Sequence, residues 1–236
     1  MSDPLKIRVL ESEVMDDPDL DKTRHVGALK SLATMNWLSA SSRMVWGAIT
    51  EYLRRSPQKK IRILDIATGS GDIPIALFQR ARRAGIEIDL LGIDISQRAI
   101  EFARQQAGVE NAKVEFATLN ALSEALPAKF DIVICSLFMH HLSEEDVVRL
   151  LAKMKSTAKF VVVNDLRRSR AGWWLALLVT RLFSRSDVVH TDSCLSVGAS
   201  FSMKEFRALA NAAGMESAIV KPRWPFRFLM TWEDST

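Results

Sequence analysis

Cysteine is scarce: the chain has only Cys135 and Cys194, and the first lies inside an apolar run that reads as a buried strand, so a disulfide framework is excluded. The N-terminus lacks the basic-then-apolar pattern of a secretory signal, and the expected compartment is therefore a reducing cytoplasm. No apolar stretch reaches about 18 residues, which rules out stable membrane insertion by a spanning helix. Low-complexity tracts are missing too, and the 236 residues, 48% hydrophobic and 25% charged, suit one sizeable globular core. Aromatics that could stack bases are not interleaved with the basic residues. The net charge of +4 and pI of about 9.2 are spread over small groups (Arg54, Arg55, Lys59, Lys60, Arg62; Arg80, Arg82, Arg83; Arg167, Arg168, Arg170), which argues against a nucleic-acid partner.

The first 56 residues contain no strand-like run. They read as helical after the acidic stretch Asp16, Asp17, Pro18, Asp19, with Val45, Ala48, Ile49 and Tyr52 at helical spacing and a stop at Ser56 and Pro57. From Lys60 the pattern becomes short Ile, Val and Leu runs alternating with helical stretches, the mark of repeated βαβ units. Strands are predicted at residues 61–66, 88–94, 113–117, 130–136 and 159–163, with helices over roughly 71–84, 96–107 and 143–155. Ser96 is a candidate helix cap, and Ser143 with Asp146 and Ser202 with Glu205 resemble capping pairs. Residues 165–201 read as a second irregular region. The last two runs, 216–221 and 226–232, are joined by Pro222, Arg223, Trp224 and Pro225, a link short enough only for an antiparallel pair. The expected fold is a doubly wound α/β domain: a mostly parallel, seven-stranded Rossmann-like sheet closing in an antiparallel C-terminal hairpin. A helical N-terminal lid over residues 1–58 precedes the main domain, 59–236, which carries a helical insertion at 167–200.

The first strand runs into ILDIATGSGD, residues 63–72, where Asp65, Ala67, Gly69 and Gly71 alternate before a helix begins. Glycine lets a backbone turn tightly and approach a ligand closely. The second strand ends in LLGIDIS, residues 90–96, which places Asp94 at about the interval that sets a carboxylate on a ribose diol. A nicotinamide-dependent oxidoreductase would share both features. It would also carry a small residue about three positions after Gly71, where Pro74 stands, and would lack the terminal hairpin.

Asp65-x-Ala-x-Gly-x-Gly followed by Asp94 resembles the cofactor signature of class I S-adenosylmethionine-dependent methyltransferases, and the likeness extends over residues 60–232. ATGSGD is similar to the form in small-molecule methyltransferases of the ubiquinone and menaquinone type, with Ala67 in place of the more usual first glycine, a mild change if the tightest turn falls at Gly69 and Gly71. The resemblance implies S-adenosyl-L-methionine as cofactor and S-adenosyl-L-homocysteine as product. It implies a glycine turn of Asp65, Ala67, Thr68, Gly69 and Gly71 against the methionine part, Asp94 and Ile95 at the ribose, Asn120 and Ala121 flanking the adenine, and Ser136 at the central strand end.

That strand, FDIVICSLFMHHL over residues 130–142, lacks the Asn/Asp-Pro-Pro end of base N-methyltransferases, and the glutamate hairpin of protein arginine methyltransferases is not visible. Adjacent His140 and His141 are expected to diverge in regular structure, so no metal site is expected from them alone. In natural-product O-methyltransferases with this strand end, such a pair and an Asp after strand five lie at the substrate, and Asp165 in KFVVVNDL, residues 159–166, matches that Asp. The expected catalytic set is thus His141, or else His140, as base, with Asp165 in support.

Two lids are expected. DPDLDKTRHVGALKSLATMNWLSASSR, residues 17–43, resembles the entry segment of polyketide-associated bacterial methyltransferases, with Asn36, Trp37 and Arg43 as candidate contacts. AGWWLALLVTRLFS, residues 171–184, is an apolar helix between arginines; Trp173, Trp174, Leu177 and Leu178 would line a greasy pocket, or else the helix would rest peripherally on a membrane. The acceptor implied is a small hydrophobic molecule of secondary metabolism, a phenolic or polyketide-derived hydroxyl, with C-methylation of an aromatic or quinol-type ring as the alternative. The enzyme would act as a monomer or homodimer.

Overall fold

A computed structural model of the chain describes residues 41–184 and 186–234, together with residues 5, 7–11, 13, 14, 21, 23, 24 and 27. Seven strands form one sheet in the order β3-β2-β1-β4-β5-β7-β6. They are β1 (Lys60–Ile66), β2 (Glu87–Asp94), β3 (Glu115–Thr118), β4 (Ile132–Ser136), β5 (Phe160–Leu166), β6 (Ile219–Arg223) and β7 (Arg227–Glu233). The first five pair in parallel; β7 runs antiparallel to both β5 and β6, as the short prolyl link requires. Residues 113 and 114, expected in β3, lie ahead of it, and β5 extends three residues further than expected, to Leu166.

The central strands are apolar on both faces because both faces are covered. On one, Ile61 and Ile63 of β1 join Ile132, Ile134 and Val162; on the other, Leu64 and Ile66 join Val133, Cys135, Val161 and Val163. Helix α1 (Ser41–Arg55) buries Val45, Ile49 and Tyr52, one stripe at helical spacing, and Tyr52 stacks on Phe160 at 4.4 Å. A lid is predicted over residues 1–58, yet α1 within it is a layer of the core against β5 and β7 and not a cover. Helices α2 (Asp72–Ala84), α3 (Gln97–Val109) and α4 (Glu144–Thr157) fill the crossovers. Their starts follow the expected chemistry: the Ser96 hydroxyl accepts from the Ala99 amide and that of Ser143 from the Asp146 amide.

The irregular region predicted at 165–201 is a helical hairpin, α5 (Arg170–Phe183) and α6 (Asp187–Ala199). Its two ends meet: Arg167 bridges Phe201, and the Arg168 guanidinium donates to the Ser200 carbonyl at 2.7 Å and to Glu205 at 2.6 Å. The hairpin therefore leaves and rejoins the domain at one point, beside the carboxyl edge of the sheet. Helix α7 (Met203–Ala212) follows, opened by a full capping box between Ser202 and Glu205.

Candidate active site

Strand order reverses between β1 and β4, and at such a switch point the loops after neighbouring strands diverge and leave a crevice. A cavity of about 1530 Å³ lies there, closed on the far side by α5 and α6. That is more than the ~300–1,000 Å³ typical of a single small-ligand pocket, enough for two reactants.

The glycine turn forms one wall. Ala67, Gly69 and Gly71 have φ of 55°, 53° and 74°, so the left-handed conformation recurs at all three alternate positions. Alanine at position 67 thus carries a strain of about 1–2 kcal/mol that glycine would avoid, and the replacement is less mild than the sequence suggests. Gly71 does not border the cavity: a Cβ there would meet the Phe116 ring at 2.8 Å and Ala103 at 2.9 Å. Its place in the pattern comes from close packing of helix on strand, not from cofactor contact. The other expected residues, Asp65, Ala67, Thr68, Gly69, Asp94, Ile95, Asn120, Ala121 and Ser136, all border the cavity.

Asp94 ties two of these elements together. One carboxylate oxygen accepts from the Gly69 amide at 2.8 Å and the other from the Ser96 amide at 2.8 Å, so it holds both the glycine turn and the entry to α3. Asn120 fixes its loop by accepting from the Leu122 amide at 2.9 Å. The Ser136 hydroxyl is buried on the cavity wall and has no hydrogen-bond partner among the described residues, which marks it for a polar group of a bound molecule. A carboxylate beside a backbone turn, an orphaned hydroxyl and an apolar loop suit a nucleoside carrying an amino-acid tail.

Asp65 lies beneath the turn and accepts from the Thr68 hydroxyl at 2.6 Å. Burial raises its pKa to about 8, assisted by the charges of Asp72 and Asp94 and opposed by the Thr68 bond. The folded protein thus holds a proton that the unfolded chain releases near pH 4. Native Asp65 costs stability as pH rises through this window, by at most about 1.4 kcal/mol per pH unit, and no further above pH 8. Denaturant unfolding of the cofactor-free protein should show stability falling from pH 5 to 8, and Asp65→Asn should flatten that decline; an equal slope in both would refute it.

The other wall carries the histidines. Residues Met139–His141 form a 3₁₀ turn after β4, in which the two imidazole rings lie 4.4 Å apart at 36°. Divergent side chains are expected for adjacent histidines; here the tight turn swings both rings towards one point. His140, 3% exposed, meets Asp165 twice, through its backbone amide at 3.1 Å and through Nδ1 at 2.6 Å. Burial works to raise the Asp165 pKa, but the charge and hydrogen bond of His140 outweigh it and hold the carboxyl below its ordinary value. The ionised carboxylate therefore fixes the proton on Nδ1 and turns the Nε2 lone pair outward. Asp165 backs His140, and not His141, the residue favoured in the sequence.

Three further groups were not visible in the sequence. Glu13 is brought in by the N-terminal segment, its carboxylate oxygens 3.9 Å from His140 Nε2 and 3.8 Å from His141 Nε2, and Ser196 of α6 donates to it at 2.5 Å. Arg8 clamps that segment down: its guanidinium donates to the carbonyls of His140 at 2.9 Å, Leu142 at 2.6 Å and Ala199 at 2.5 Å and lies 4.0 Å over the Phe201 ring. Arg227 at the start of β7 also borders the cavity, and its burial lowers its pKa to about 10 against the pull of Asp165 and Asp72. Nothing in the spacing of Glu13 or Arg8 announces these contacts.

The hairpin expected to form a lid does border the cavity, but with the other face of its helix inward. Leu175, Ala176, Val179 and Thr180 of α5 border the cavity, whereas Trp173, Trp174 and Leu177 do not, and Trp174 is 65% exposed. Arg170 and Arg181, eleven residues apart, share one stripe of α5 with Trp174 and Leu177, which marks that stripe as the outer one and leaves Leu175, Ala176 and Val179 to face inward. Arg43 is exposed on α1, away from the cavity, and Asn36 and Trp37 lie outside the described residues.

Residues 63–159 match the family model described as a methyltransferase domain. The sheet built around that stretch has the fold of the class I S-adenosylmethionine-dependent methyltransferases. It is 37% identical over 90 residues to the demethylmenaquinone methyltransferase of Deinococcus radiodurans, covering 38% of this chain and 34% of the relative. Over 127 residues it is 26% identical to the ubiquinone biosynthesis O-methyltransferase of Thiobacillus denitrificans, covering 52% of each. The chain thus spans about half or less of the curated relatives it matches. The fold is shared with the plantazolicin methyltransferase BpumL, solved with a monoazolic desmethylPZN analog and SAH, at a TM-score of 0.65 and 17% identity over 88% of this chain and 89% of that one. Among the described residues no helix is long and apolar enough to cross a membrane.

Proposed function

We propose that this methyltransferase transfers a methyl group from S-adenosylmethionine to the hydroxyl oxygen of a small hydrophobic acceptor, phenolic or polyketide-derived. One observation carries the reading: the glycine turn with Asp94 and the carboxylate-backed His140 border a single cavity roofed by apolar side chains. Asp94, Asn120, Ala121 and Ser136 would hold the cofactor, which supplies, when bound, a methyl group already activated on a sulfonium.

What remains for the protein is alignment of the acceptor and removal of its proton. Leu175, Ala176 and Val179 exclude water and favour a flat apolar body. The proton leaves at the histidine cluster, where Nε2 of His140 is the accepting atom in the ion-free protein because Asp165 occupies Nδ1. The word O-methyltransferase in the name of the Thiobacillus relative supports oxygen as the acceptor atom. A cytoplasmic setting and a place in secondary metabolism belong to the same reading, in keeping with the two free cysteines.

Incubating the full chain with S-adenosylmethionine and a panel of phenols, enols and quinols, then locating the added methyl by NMR, tests it. Methyl ethers are expected; products methylated only on carbon would replace oxygen by a ring carbon as the acceptor.

A further inference from the structure

A carboxylate oxygen of Glu13 and one ring nitrogen each of His140 and His141 lie within 4.8 Å of one another, and we propose that these three residues bind a divalent first-row transition-metal ion whose open position takes the acceptor's oxygen. Two ligands on one tetrahedral ion, each at about 2.0–2.1 Å, stand roughly 3.3 Å apart. One carboxylate oxygen is 3.9 Å from His140 Nε2 and the other 3.8 Å from His141 Nε2, so closing on an ion draws the ligand atoms together by at most about 1.5 Å.

The surroundings are those of a metal site. A ligating histidine characteristically donates its second ring N–H to a carboxylate, which orients the ring and makes the ligating nitrogen more basic. His140 does so through Nδ1 to Asp165 at 2.6 Å, with both side chains buried. Ser196 holds Glu13 from behind at 2.5 Å, and Arg8 pins the 3₁₀ turn through two of its carbonyls. Two imidazoles with one carboxylate favour zinc, cobalt, nickel or iron over magnesium and calcium. Three protein ligands leave one position open, and the cavity adjoins all three.

The inference rests on the reading that the acceptor's hydroxyl faces this cluster, and it alters one part of it. With the ion in place, the hydroxyl oxygen binds the metal, its proton passes to water, and His140 Nε2 is a ligand and not the proton acceptor.

Chelator-treated full-length protein titrated with Co²⁺, followed by visible absorption, and with Zn²⁺, followed by calorimetry, should bind one ion per chain. Glu13→Ala and His141→Ala, with folding checked by circular dichroism, should weaken binding more than Asp165→Asn, for which a loss of about 10–100-fold is expected. Should either substitution destabilise the fold, Glu13→Gln serves in its place. No saturable Co²⁺ or Zn²⁺ binding, or unchanged affinity in the Glu13 variants, overturns the site. Ether formation by ion-free protein at an undiminished rate also overturns it, yet leaves hydroxyl methylation standing. Tight binding with no ether formed from any acceptor would instead remove the proposed reaction and keep the site.

Discussion

Replacing His140 by asparagine should lower turnover about 10²–10⁴-fold while cofactor affinity stays unchanged. That range is what a positioned acid or base contributes, and the group sits on the wall opposite no other described base of comparable support. Asparagine carries its amide nitrogen where Nδ1 stands and can still donate to Asp165, so the buried carboxylate keeps a partner and the fold is spared the cost of an unpaired buried charge, about 3–5 kcal/mol. Alanine would remove that partner and mix a stability defect into the kinetics. Asp165→Asn probes the same pair from the other side: the imidazole loses the acceptor that fixes its proton on Nδ1 at 2.6 Å, so turnover should fall in the same direction. The measurement is kcat with a methyl acceptor found in the panel, beside calorimetric affinity for S-adenosylhomocysteine. Normal turnover in both variants would remove the pair from the mechanism, whether the cluster acts by imidazole or by ion.

The parts of this architecture that were legible in the sequence are those set by local chemistry. Strands buried on both faces must be apolar on both, so β4 and β5 stand out as continuous runs and β1 and β2 alternate at first and turn apolar on both faces only towards their carboxyl ends, and serines at positions 96, 143 and 202 mark helix starts by a hydrogen bond three residues away. The glycine turn and Asp94 belong to one strand–turn–helix unit and its neighbour, where spacing along the chain converts directly to distance. The histidine wall does not obey that logic. Glu13 meets the histidines across more than a hundred residues of chain, from a segment without periodicity, and is held there by Ser196, far downstream. The rule that adjacent side chains diverge holds for helices and strands, but the histidines occupy a 3₁₀ turn. For α5 the signal was present in its arginines: Arg170 and Arg181 share a stripe with Trp174 and Leu177, so the bulky tryptophans point to the wrong face, whereas the charges place Leu175 and Val179 inward and Trp174 outward.

Asp94→Ala should weaken S-adenosylmethionine by about 100-fold or more. The side chain has two duties, and the substitution ends both. As an acceptor for the ribose hydroxyls, an ionised carboxylate is worth about 1.5–3 kcal/mol per hydrogen bond, and about 1.4 kcal/mol is tenfold in affinity. As a brace, it holds the Gly69 amide at 2.8 Å and the Ser96 amide at 2.8 Å, so its loss also frees the turn that shapes the methionine side of the cavity. Each carboxylate oxygen has two acceptor directions, so bracing and ribose binding are compatible. Asp94→Asn separates the two duties: the amide keeps one oxygen acceptor but presents a donor at the other position, facing a backbone N–H. It should therefore loosen the brace while partly sparing sugar recognition, and its affinity should lie between those of wild type and Asp94→Ala. Calorimetry with S-adenosylmethionine, S-adenosylhomocysteine and a nicotinamide dinucleotide makes the comparison. Unchanged affinity in Asp94→Ala would place the nucleoside elsewhere in the cavity, and with it the orientation from which the methyl group is delivered to the histidine wall.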